Sequence, residues 1–135
     1  MRAIILLLMV LFGLAAPVRA ADDVAAAQNI IRSQEQAFRR DDAAAAWSFA
    51  SPALQEMFQR PEIFMMMVQQ GYAPVYRHKS FEFGESKAAS GQIAQRVHIV
   101  DENGEAWEAL YTLEQQSDGG YRITGCSLLK AGQAA

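Results

Sequence analysis

At Gly71 the hydrophobic period of this chain switches from that of a helix to that of a strand. Helical spacing groups apolar residues three and four apart, strand spacing groups them two apart, so the switch divides the fold into two kinds of element. Upstream, Ala27, Ile30, Ile31, Gln34, Ala37 and Phe38 recur at three- and four-residue intervals, with Gln28, Arg32, Glu35 and Arg39 on other faces. This spacing predicts one amphipathic helix over Asp22–Arg40, with Asp22 and Asp23 at its electropositive start. Asp41-Asp42 offers an N-cap to a second, alanine-rich helix over Ala43–Phe49. Ser51-Pro52 joins a capping hydroxyl to a proline in the first turn and opens a short helix carrying Leu54, Met57 and Phe58. Pro61 opens another through Ile63–Gln70, which Gly71 stops.

Downstream the alternation is two-residue. Tyr72–Tyr76 is expected to be extended, because Pro74 disfavours a helical Ala73. Ser80–Glu85 alternates through Phe81 and Phe83, and Gln92–Val100 sets Ile93, Val97 and Ile99 against Gln92, Arg96 and His98. Ala106–Gln115 places Trp107, Ala109, Tyr111 and Leu113 on one face, and Tyr121–Leu129 is the last strand. The separators Ala89-Ser90-Gly91, Glu102-Asn103-Gly104 and Ser117-Asp118-Gly119-Gly120 read as hairpin turns, with type I′ geometry expected at Asn103-Gly104. Helices followed by strands is the α+β pattern: N-terminal helices packed on a curved four-stranded antiparallel meander. Ile30, Phe38, Phe83, Val97 and Tyr111 are expected to share one core.

The first twenty residues carry a different signal. Met1-Arg2 is a short basic start, Ala3–Leu14 is apolar, and Val18-Arg19-Ala20 is a small-x-small box, the pattern of a secretory signal peptide cleaved after Ala20. The expected parts are residues 1–20 as signal peptide, 21–130 as a single α+β domain and 131–135 as a flexible tail. The apolar run is short of the roughly 20 residues that a membrane span needs, so the product is expected to be periplasmic or secreted, with no membrane attachment after cleavage. Cys126 is the one cysteine, far from the cleavage point, which excludes a lipoprotein anchor and an intramolecular disulfide. Without Arg2 and Arg19, 10 basic residues face 15 acidic ones, a balance that argues against a nucleic-acid partner.

Two segments carry a resemblance. One is Ile30-Ile31, Gln34, Ala37-Phe38, Asp41-Asp42 and Ala46-Trp47 in fixed spacing; the other is Asp118-Gly119-Gly120-Tyr121-Arg122-Ile123. Together with the order of elements they resemble the NTF2-like cone superfamily. With Ser51-Pro52-x-Leu54, Tyr72-x-Pro74-Val75 and Gly125-Cys126 in the same order, the chain looks more closely like the exported bacterial family catalogued as domain of unknown function 4864. The resemblance runs from Asp22 to about Leu129 and implies a pocket between the first long helix and the sheet. It implies no particular chemistry, since one fold hosts many functions.

Five residues are pocket candidates: Gln34, Trp107, Tyr111, Tyr72 and Tyr76. Gln34 is polar on an apolar stripe, so it bonds either a buried backbone group or a ligand. Tyr111 and Gln34 together would orient a small ligand or satisfy each other, and Tyr72 and Tyr76 would extend the pocket at its rim. A lyase or isomerase of the cone fold would need a pocket acid or histidine. Asp41 and Asp42 are explained by capping, and His98 alternates away from Ile93, Val97 and Ile99. Cys126 reads as a buried structural thiol. The sulfurs of Met65, Met66 and Met67 point about 100° apart on a helix and do not converge on an ion, and His78, His98 and Cys126 lack ligand spacing. No metal or cofactor is expected. Arg77-His78-Lys79 is the one basic patch, suited to an anionic group or to guarding a sheet edge. The reading favours a non-catalytic domain that binds a small apolar ligand or a protein partner. The alternatives are the small lyase or isomerase and a structural subunit that forms a homodimer through its sheet.

Overall fold

The computed structural model describes residues 15–132. The described residues form five helices, α1 (Ala15–Arg39), α2 (Ala43–Ser48), α3 (Pro52–Phe58), α4 (Pro61–Gly71) and α5 (Ala73–Tyr76), followed by β1 (His78–Ala89), β2 (Gln92–Asp101), β3 (Ala106–Gln115) and β4 (Tyr121–Lys130). The four strands form one antiparallel sheet in the order β1-β2-β3-β4. This is an α+β fold with a cone-like arrangement. The apolar run Ala3–Leu14 and the end of the expected tail lie outside the described residues. No helix among the described residues is long and apolar enough to cross a membrane.

The helix boundaries follow from local chemistry. Helix α1 is described from Ala15 and so already runs seven residues before the expected Asp22. The two aspartates after α1 divide the work that the sequence assigned to both. Asp41 adopts a left-handed φ of 56°, while Asp41 N–H donates to the Phe38 carbonyl and Asp42 N–H to the Ala37 carbonyl, at 3.1 and 2.9 Å. That is a Schellman ending. Asp42 alone caps α2, accepting from Ala45 N–H at 3.0 Å. Ser51 Oγ caps α3 by accepting from Leu54 N–H at 3.3 Å.

Two local expectations are corrected. Ala73–Tyr76 is one helical turn, not extended chain. Pro74 occupies its first turn, and burial of Pro74 and Val75 outweighs the preference of the residue before proline. The Asn103-Gly104 hairpin is not type I′, since Gly104 has a positive φ and Asn103 does not. Asp101 decides this: Oδ1 accepts from Asn103 N–H and Glu105 N–H, and Oδ2 from Trp107 Nε1–H, all at 2.9 Å. The type I′ pattern of two positive φ values falls instead at Ser90-Gly91, between the paired Ala89 and Gln92.

The core lies between α1 and the inner face of the sheet. Ile31, Ala37, Phe38, Val97, Ile99, Ala109, Tyr111 and Leu113 are nearly sealed from solvent. Of the five residues expected to share this core, Phe38, Val97 and Tyr111 are fully buried, while Ile30 and Phe83 are half-buried and pack against it. Three register shifts shape the sheet, the first at His78/Ser80 in β1. At Phe83/Ser86 strand β1 carries one extra residue, and the fully buried Gln95 donates to the Gly84 carbonyl there at 3.0 Å. At Thr112/Leu113 the bulge lies in β4. The edge of β4 is covered by the segment after α2, where Ser51 N–H donates to the Ile123 carbonyl and Ile123 N–H to the Phe49 carbonyl.

Candidate functional site

The β4 bulge sets the floor of the site. Strict alternation from Tyr121 and Ile123 would carry Gly125 inward and Cys126 outward. The bulge shifts the register so that Cys126 pairs with Tyr111 and Leu128 with Ala109. Cys126 therefore meets Tyr111 below a cavity of about 240 Å³, walled by Phe38, Phe64, Met67 and Val75 from the helices. Among the described residues no charged one lines this cavity. Burial pushes the Cys126 thiol up to about 12, even though a hydrogen bond from Tyr111 acts the other way. Burial likewise holds the Tyr111 hydroxyl well above its ordinary value. Both groups are neutral near pH 7, so neither serves as a nucleophile or base there.

The five pocket candidates do not fall in one place. Gln34 and Tyr111 line the inner cavity. Trp107 and Tyr76 line a separate, more open cleft between α5 and the β2–β3 hairpin. Tyr72 borders both and donates its hydroxyl to the Cys126 carbonyl at 3.0 Å. The single cavity expected around Gln34, Trp107 and Tyr111 is thus corrected: α5 and Tyr72 stand between Trp107 and the other two. Nor do Gln34 and Tyr111 satisfy each other. Gln34 Nε2 donates to the Ala46 carbonyl at 3.1 Å, and Tyr111 pairs with Cys126 across the sheet.

The residues weighed for catalysis lie elsewhere. Asp42 caps α2, and Asp41 accepts from the Tyr76 hydroxyl and from Arg77 Nη2, contacts that hold its carboxyl below the ordinary range. His98 is largely exposed on the outer sheet face, 4.0 Å from Glu108. Met65 is buried and Met66 exposed, as their angular separation requires.

The basic patch dissolves into three separate roles. Arg77 donates to the Phe38 carbonyl at 2.7 Å and pairs with Asp41. Lys79 is exposed. His78 has a buried side chain, with Nδ1 2.9 Å from the Pro74 carbonyl and Nε2 2.5 Å from Glu35 Oε2. A carbonyl only accepts, so Nδ1 carries a proton; with an ionised Glu35 accepting, Nε2 donates too. Glu35 was placed on an outer helix face by its spacing, and the structure buries it. Burial on its own would raise its pKa, but the hydrogen bonds from His78 and Arg32 outweigh that and hold the carboxyl below its ordinary range. Arg32 Nη1 lies 2.7 Å from Glu35 Oε1, and its guanidinium lies over the rings of Phe81 and Phe83. This cluster, with Glu35 and His78 buried and Arg32 part-exposed, pins α1 to the junction of α5 and β1. The i,i+3 spacing of Arg32 and Glu35 was its one sequence signal; nothing local pointed to His78.

The sequence model of a family described as domain of unknown function (DUF4864) matches residues 20–135. The chain belongs to that family. No curated protein and no solved structure gives a significant match.

Proposed function

We propose that this member of the family is an exported, non-catalytic domain of NTF2-like type that binds a small uncharged apolar molecule in the inner cavity. One observation carries the reading: an apolar cavity of about 240 Å³ beside α1 is lined, among the described residues, by uncharged side chains. An apolar lining with a few polar groups is the usual character of a small-molecule site. Cavity acid–base chemistry would need a titratable group near neutrality. Asp41, Asp42 and His98 are engaged elsewhere, which supports binding over a lyase or isomerase. Export rests on the basic, apolar and small-x-small pattern of residues 1–20.

Thermal melts of the exported product test the binding reading. A ligand at a hundred times its Kd stabilises by about 2.7 kcal/mol, so a panel of small neutral aromatics and alkanols should contain compounds that raise Tm saturably. Failure of every compound to shift Tm refutes it. Intact mass of the same product tests export: the expected chain begins at Ala21, and a chain retaining Met1–Ala20 in the membrane fraction overturns cleavage.

A further inference from the structure

One polar atom on the inner cavity is left without a partner by the protein itself. Gln34 is 4% exposed, and its amide nitrogen donates to the Ala46 carbonyl. Because that carbonyl can only accept, the bond fixes which end of the amide is nitrogen and turns the side-chain oxygen away from it. Among the described residues no donor reaches that oxygen. Among the described residues, the sealed side-chain oxygen without a partner is the Tyr121 hydroxyl, which does not line this cavity. The Gln34 oxygen therefore keeps some exposed surface, and the inner cavity is the open space that Gln34 lines.

A neighbouring polar group has the same character. Tyr72 directs its proton at the Cys126 carbonyl, so its oxygen presents lone pairs to its surroundings. The lining offers acceptors, with the second amide hydrogen of Gln34 beside them. A hydroxyl both donates and accepts and fits this set. A ketone could accept from that hydrogen but would leave the acceptors without a donor. A carboxylate or ammonium would be buried without a counter-charge, which is costly.

We infer that the inner cavity takes a neutral alcohol or phenol, its hydroxyl donating to the Gln34 side-chain oxygen and its apolar body lying among Phe38, Phe64 and Val75. This assignment of ligand class rests on the binding reading above. Size follows from volume: benzene occupies an apolar cavity of roughly 150 Å³, so about 240 Å³ suits a body of about ten non-hydrogen atoms.

Matched ligands separate this inference from the reading beneath it. Calorimetric titration of the exported product would compare 4-propylphenol with 4-propyltoluene, which replaces the hydroxyl by a methyl group, and with 4-propylbenzoate. The phenol should bind about five-fold more tightly than the toluene, the effect of one neutral hydrogen bond, and the benzoate should not bind. In Gln34→Met the phenol should weaken about five-fold while the toluene holds its affinity. That variant leaves the Ala46 carbonyl its bond from Phe49 N–H, at 3.4 Å. If the variant does not fold, the ligand pair on the parent protein decides. Equal or tighter binding of the toluene overturns the hydroxyl assignment and leaves apolar binding standing. Binding of neither overturns the assignment, and failure of the wider panel as well removes the reading on which it rests.

Discussion

Replacing Glu35 by leucine would test whether the cluster of Arg32, Glu35 and His78 holds α1 against the junction of α5 and β1. The side chains of Glu35 and His78 are 4% and 1% exposed, so neither reaches water to recover its lost partner. Removing one member of a buried ion pair costs about 3–5 kcal/mol, because the remaining group stays buried and unpaired. Arg32 adds little to that figure: its side chain is 39% exposed and keeps its bond to the Phe81 carbonyl. The double variant Glu35→Leu/His78→Phe should cost less than the first change alone, about 1–3 kcal/mol, since what is then stranded is the Pro74 carbonyl. Urea unfolding followed by circular dichroism reads both values; with a slope of about 1–3 kcal/mol/M, the single variant should shift its midpoint by more than 1 M. The pH dependence adds a second check. The native pKa of Glu35 lies below its ordinary value of 4.5. Its contribution is therefore complete above that value and lost as pH falls through the native one. The stability gap between parent and Glu35→Leu should narrow below about pH 4.5. A single variant costing under about 1 kcal/mol, or a double variant equal to the sum of the two singles, would refute the reasoning.

Cys126, with its thiol held near 12 by burial, should resist a thiol reagent at pH 8 in the native protein and react fully in urea; fast native labelling would contradict its place below the cavity. Gly91→Ala should destabilise by about 1–2 kcal/mol, because φ there is +77°. Gly71→Ala, at the end of α4 with nothing within 4 Å of an added Cβ, should stabilise by about 0.4–1 kcal/mol. Equal effects in chemical denaturation would show that backbone conformation does not separate the two sites.

Much of the fold was legible because its causes are local. Hydrophobic period separated helices from strands, Asp42 and Ser51 marked the starts of α2 and α3 through their caps, and short turns left antiparallel hairpins as the available connection. The polarity of Gln34 on an apolar stripe pointed at the wall of the cavity, since a polar group there needs a partner whatever surrounds it. What tertiary structure alone decided involves residues far apart in the chain. Glu35 and His78 meet across 43 positions, and no helical period reports a partner on another element. Cys126 owes its inward position to the β4 bulge, where one inserted residue reverses the faces that follow, while Gln95 is buried by plain alternation with Ile93 and Val97 and finds its partner in the β1 bulge. Trp107 and Tyr111 share a strand face, yet they line different spaces because α5, a turn that Pro74 argued against, packs with Tyr72 between them.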